Sequence, residues 1–108
     1  MSYQKAFFDL SQGSAASSFP EELKLKNVGF SVYVLDPGEG FDYLHNHREQ
    51  EEVYLCIEGT AQIVVGADDE TLERIDLKRG EAVKVDPETL RAIGNASNAR
   101  TVLVIAGG

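Results

Sequence analysis

A chain of 108 residues with 10 Lys and Arg, 18 Asp and Glu, and a net charge of −8 has room for one modest core. Phosphate backbones are gripped largely by Lys and Arg, and a membrane span needs ~20 consecutive apolar residues, so neither nucleic acid nor membrane is an expected partner. A single cysteine excludes an intrachain disulfide and a Cys-based zinc site; with no signal peptide at the start, the expected compartment is the reducing cytoplasm.

Residues 1–27 read as an N-terminal arm and connector. Ala6, Phe7, Phe8 and Leu10 form an apolar patch expected to dock on the chain's own barrel or on a neighbour's. Residues 11–18 are small and polar, a flexible connector. Ser18, Pro20 and Glu21 allow a short capped helical turn over 18–26. From 28 to 108 the chain reads as short strands between turn signals. The strands expected are 28–35, 41–47, 53–57, 61–65, 71–77, 81–85, 90–93 and 101–106, about eight in all. In the first, Phe30, Val32 and Val34 share one face, and Ser31 and Tyr33 the other. Asp36-Pro37-Gly38 and Gly66-Ala67-Asp68 supply turn chemistry, and 53–57 with 61–65 are close enough to form a hairpin. The pattern is that of an all-β antiparallel sandwich or barrel.

Both histidines lie two apart, at His45 and His47, with Glu52 five residues on. In an extended segment residues two apart share a face, so the imidazoles project together, and a turn over 48–51 returns Glu52 toward them. Two imidazoles and a carboxylate are a standard ligand set for first-row divalent metals. The plainer alternative is a polar turn with solvated side chains.

Gly40, His45, Asn46, His47, Glu52 and Gly59 together resemble the first signature motif of the cupin superfamily, with four residues rather than five between Gly40 and His45. Gly80 to Pro87, followed by Asn95, resembles the second motif. The resemblance implies a cupin-type double-stranded β-helix, a jelly-roll barrel, with His45, His47 and Glu52 as metal ligands. It departs from the family at Asp86, in the usual proline position, at Glu88, in the usual glycine position, and most importantly at one ligand. The third imidazole, four residues before Asn95, is replaced by Arg91, which has no lone pair and stays charged. Glu49, Gln50 and Glu88 are the nearest substitutes. Three readings of Arg91 stay open: a retained metal with fewer protein ligands, a site where Arg91 pairs with Glu52 instead, and an outward arginine.

By strand parity Tyr54 and Cys56 share the inner face with Glu52, while Phe41 and Tyr43 share that of His45. Arg91, Tyr54, Phe41 and Tyr43 are thus the expected ligand-binding residues, and Cys56 a small buried hydrophobe. Two functions follow. In one, the pocket binds a small polar or acidic ligand without turnover, its metal site degenerate. In the other, iron, manganese, zinc or nickel on His45, His47 and Glu52 serves a dioxygenase, isomerase or epimerase type of reaction on a small oxygenated substrate. The apolar arm and the sheet edges also lead one to expect a homodimer.

Overall fold

The computed structural model describes residues 3–11, 25–41, 44, 46 and 50–107. Seven strands are formed among them: β1 (Gly29–Leu35), β2 (Glu52–Glu58), β3 (Thr60–Gly66), β4 (Glu73–Lys78), β5 (Ala82–Val85), β6 (Leu90–Gly94) and β7 (Thr101–Gly107). They build two antiparallel sheets, ordered β1-β7-β2-β5 and β4-β3-β6. This is the all-β antiparallel architecture expected from the strand spacing, in the jelly-roll form that the resemblance implies.

The eighth expected strand, 41–47, lies largely outside the described residues. Where it begins, the backbone is not extended: Phe41 has φ 65° and follows Gly40 at φ 101°. Residues just before it lie along β6 instead, with Gly40 bridged to Gly94 and Phe41 N–H donating to Ile93 O at 2.8 Å. The expected helical turn falls mostly outside the described residues.

The hairpin expected between 53–57 and 61–65 does not form. β2 pairs with β5 and β7, whereas β3 pairs with β4 and β6. The chain turns a corner between the sheets at Gly59, φ 74°, where a Cβ would lie 2.4 Å from Arg100 O. A register shift between Cys56 and Glu58 bends β2 into this corner, the usual device where a strand leaves one sheet for another. The turn at 66–71 does make a hairpin: Asp68 Oδ1 accepts from Glu70 N–H at 3.0 Å and Thr71 Oγ1 at 2.9 Å. These bonds hold the Asp68 carboxyl below the ordinary carboxylate range.

Between the sheets lie Leu35, Tyr54, Cys56, Ala61, Ile63, Leu77, Val85, Leu103 and Ile105. The face of β1 that points inward therefore carries Ser31, Tyr33 and Leu35. Phe30, Val32 and Val34 point the other way and join Val102 and Val104 in a second apolar cluster outside the barrel. The N-terminal arm covers this cluster on its own chain, with the Phe8 ring set edge-on to Phe30 at 5.8 Å. Arg100 fastens the arm by donating from Nη1 to Ser11 O at 3.1 Å, while its Nε meets Glu58 at 3.3 Å. Fully burying a valine is worth about 1.5–3 kcal/mol, so a cover over Val32, Val34 and Val102 is a substantial part of the chain's stability.

Asn95 ties three elements at one end of the barrel. Wholly buried, it donates from Nδ2 to Leu35 O at 3.0 Å and Ala99 O at 2.7 Å. Its Oδ1 accepts from Ser97 N–H at 3.0 Å and Ser97 Oγ at 2.6 Å.

Candidate functional site

Glu52 opens β2 and Tyr54 follows two residues on, so both side chains point between the sheets. Arg91 sits on β6 in the opposite sheet, across from Val65, on the inward face that also carries Ile93. Its guanidinium spans the gap. Nη1 lies 3.3 Å from Glu52 Oε1, and Nη2 donates to the carbonyl of Asp86, the residue just after β5. Asp86 turns its carboxylate outward to Lys84 Nζ at 2.9 Å. The same Glu52 oxygen accepts the Tyr54 hydroxyl at 2.6 Å. Burial, and then the bond to the Glu52 carboxylate, push the Tyr54 phenol well above its ordinary range, so it stays protonated.

Arg91 is wholly buried, with 0 % of its surface exposed, and is the only charged residue so enclosed among those described. One of its donors is unsatisfied: Nε–H has no acceptor among the described residues. A buried donor left without a partner costs about 1–3 kcal/mol.

The other expected site residues are placed as follows. Cys56 is buried, its thiol 3.4 Å from the carbonyls of Glu58 and Gly59. Phe41 lies apart from Arg91. Its ring packs on Gly94, where a Cβ would sit 2.3 Å from a ring carbon, and the Arg74 guanidinium caps it at 4.5 Å. Gly94 and Gln62 are opposed, and Gln62 alternates with the inward Ala61 and Ile63, so this is the outer face of the three-stranded sheet. The parity argument placed Phe41 inside because it assumed an extended backbone, and φ 65° breaks that assumption. His45, His47, Tyr43 and Glu49 lie outside the described residues. Asn46, between the histidines, reaches Glu88 O at 3.5 Å. Two neighbours were not anticipated. Tyr33 faces inward with Leu35, a signal available from strand parity. The Asp86 carbonyl is a backbone group that no side-chain pattern marks.

Two antiparallel sheets of jelly-roll form enclose a polar cluster between them near β2 and β6. Residues 31–107 match the Cupin domain family, and the chain belongs to it. Among solved structures it is similar to a cupin protein from Bacteroides fragilis, at 25% identity and TM-score 0.80, covering 99% of this chain and 84% of that one. It is also similar to a predicted oxalate decarboxylase from Thermotoga maritima, at 20% identity and TM-score 0.62, covering 72% of this chain and 63% of that one. The cupin domain of Drosophila melanogaster CENP-C gives 18% identity and TM-score 0.62, with 70% and 57% covered. These last two show the fold alone. No curated protein matches the chain in sequence.

Cupins often bind metals. Of the three expected ligands only Glu52 is among the described residues: its Oε1 accepts from Tyr54 and faces the Arg91 guanidinium, which offers no lone pair. Among the described residues no three His, Cys, Asp or Glu side chains gather closely enough to hold an ion. No helix is long and apolar enough to cross a membrane among them.

Proposed function

We propose that this cupin binds a small polar ligand between its sheets, beside Arg91 and Tyr54, without a tightly held metal. The observation that carries the reading is the enclosed Arg91 guanidinium, held at 3.3 Å from Glu52 and lacking an acceptor at Nε–H among the described residues. A cation buried at this depth needs a counterion and hydrogen-bond acceptors, and a ligand oxygen completes the set. Residues 28–108 form the ligand-binding barrel and 1–27 its arm, in a cytoplasmic protein.

The competing reading is an enzyme of the dioxygenase, isomerase or epimerase type that uses iron, manganese, zinc or nickel on His45, His47 and Glu52. It draws support from the spacing of those residues. Elemental analysis of protein purified without chelator or metal-affinity resin separates the two. Less than a tenth of an equivalent of metal is expected, roughly, for a site where a permanent cation already sits on the carboxylate. Stoichiometric metal overturns the metal-free reading.

The homodimer is proposed on the exposed apolar residues left beside the arm. Phe7 and Leu10 on the arm, and Val53 and Ile57 on the outer face of β2, remain open to solvent. Sedimentation of the full chain is expected to give a dimer at micromolar concentration, weakened by Phe7→Ser with Leu10→Ser. A monomer there refutes it.

A further inference from the structure

We propose that the ligand is an uncharged molecule that presents one carbonyl or hydroxyl oxygen to Arg91 Nε–H. This rests on the reading of the barrel as a small-molecule site and narrows its ligand class.

The first support is geometric. Both terminal nitrogens of Arg91 are engaged, one by the Glu52 carboxylate from β2 and the other by the Asp86 carbonyl after β5. The guanidinium is therefore held by β2 and by the residue that follows β5 before any ligand arrives. Its Nε–H is buried and has no acceptor among the described residues. A fixed donor gains an oxygen without ordering a flexible side chain, which is where much binding free energy is otherwise lost.

The second support is charge. Arg91 is the only charged residue wholly buried among those described, and Glu52 answers its charge at 3.3 Å. The Tyr54 hydroxyl donates to the same Glu52 oxygen at 2.6 Å. The described interior is thus electrically balanced before a ligand binds. A carboxylate or phosphate would add an unanswered negative charge beside Glu52 in a site removed from water. A neutral oxygen satisfies the donor and leaves the balance intact. The remaining neighbours agree. Across the sheet, Glu52 is opposed by Val85 and Tyr54 by Val83 and Ile105, so the body of the ligand meets apolar walls. A small amide, ketone or lactone has this chemistry, and a dicarboxylate does not.

The test uses two probes of nearly equal shape, propionamide and propionate, titrated into the full chain at pH 8. The readout is the Arg91 Nε–Hε resonance in a nitrogen–proton correlation spectrum, assigned by its loss in Arg91→Lys. Propionamide is expected to move this resonance with an affinity at least about tenfold above that of propionate. Arg91→Lys keeps the charge but lacks Nε–H, and is expected to weaken propionamide binding at least about tenfold, read from the backbone amide resonances of β2 and β6. If that variant does not fold, the wild-type titrations decide. Propionate moving the resonance as well as propionamide, or better, overturns the neutral-ligand inference and leaves the small-molecule reading standing. Neither probe moving it overturns both.

Discussion

Arg91→His places the family's missing imidazole on β6 and removes the permanent cation, and the two effects act in opposite directions. Without metal, Glu52 loses its partner. At 3.3 Å and an effective dielectric of ~20, the attraction is about 5 kcal/mol before desolvation is counted. Breaking a buried pair by removing one member typically costs 3–5 kcal/mol. The Glu52 side chain keeps 14% of its surface exposed, and Tyr54 still donates to it, which places the expected loss lower, at about 2–4 kcal/mol. For a domain of this size that is a fall in Tm of about 10–20 °C. With nickel or manganese added, the sign reverses. A dication ~4 Å from a guanidinium meets about 8 kcal/mol of gross repulsion at the same dielectric, twice the value for two unit charges, and the substitution abolishes it. Affinity for the ion is expected to rise by well over tenfold, since each ~1.4 kcal/mol is a decade. Thermal melts of both proteins, with and without saturating metal, read the two effects together. Equal metal-induced shifts in wild type and variant would refute the reading of Arg91 as standing at the third-ligand position. A variant as stable as wild type without metal would refute the energetic role of the ion pair.

Three further outcomes follow from other contacts. Because the Tyr54 phenol titrates above its ordinary value of 10.0, the unfolded state releases that proton first, and stability is expected to fall as pH rises beyond about 10. Urea melts between pH 8 and 11 should show this slope in wild type and a shallower one in Tyr54→Phe. Gly94→Ala puts a methyl 2.3 Å from the Phe41 ring, so the ring must leave its seat under Arg74. A loss of about 1–3 kcal/mol in chemical denaturation is expected, and no change would mean that Phe41 gives way freely. Asn95→Asp replaces a donor with a carboxylate oxygen facing the Leu35 and Ala99 carbonyls. Its cost is expected to exceed that of Asn95→Ala, itself about 2 kcal/mol or more, and the reverse order of midpoints would contradict the assigned amide orientation.

Strand spacing and side-chain alternation made most of the barrel legible in the sequence, because β-branched and aromatic runs such as 29–35 and 101–107 favour no other structure so strongly. Arg91 was reached by counting back from Asn95, and the strand register that such counting presumes does carry its side chain between the sheets. What sequence could not supply was backbone conformation at single residues. The corner at Gly59 and the left-handed Phe41 each depend on a close approach to a distant segment, Arg100 in one case and Gly94 in the other. A local pattern contains no such partner. The alternation in β1 left its inward face undecided for a related reason. Its more apolar face, Phe30, Val32 and Val34, lies outside the barrel, because the arm supplies a second core there. Alternation tells two faces apart but does not say which one the barrel encloses.

Placing β7 between β1 and β2 in one sheet has a consequence for how the chain is made. The strand that both must pair with follows them by some 40 to 70 residues, so during synthesis β1 and β2 emerge with their inward and outward apolar faces uncovered. The β3–β4 hairpin can zip at once, since its two strands adjoin, but the four-stranded sheet waits for the last strand. Folding is then limited by closure of long loops rather than by local pairing. Substitutions on β7 are expected to slow acquisition of the native state. The interval before β7 arrives is also when Val32, Val34 and Val53 are open to association with other nascent chains.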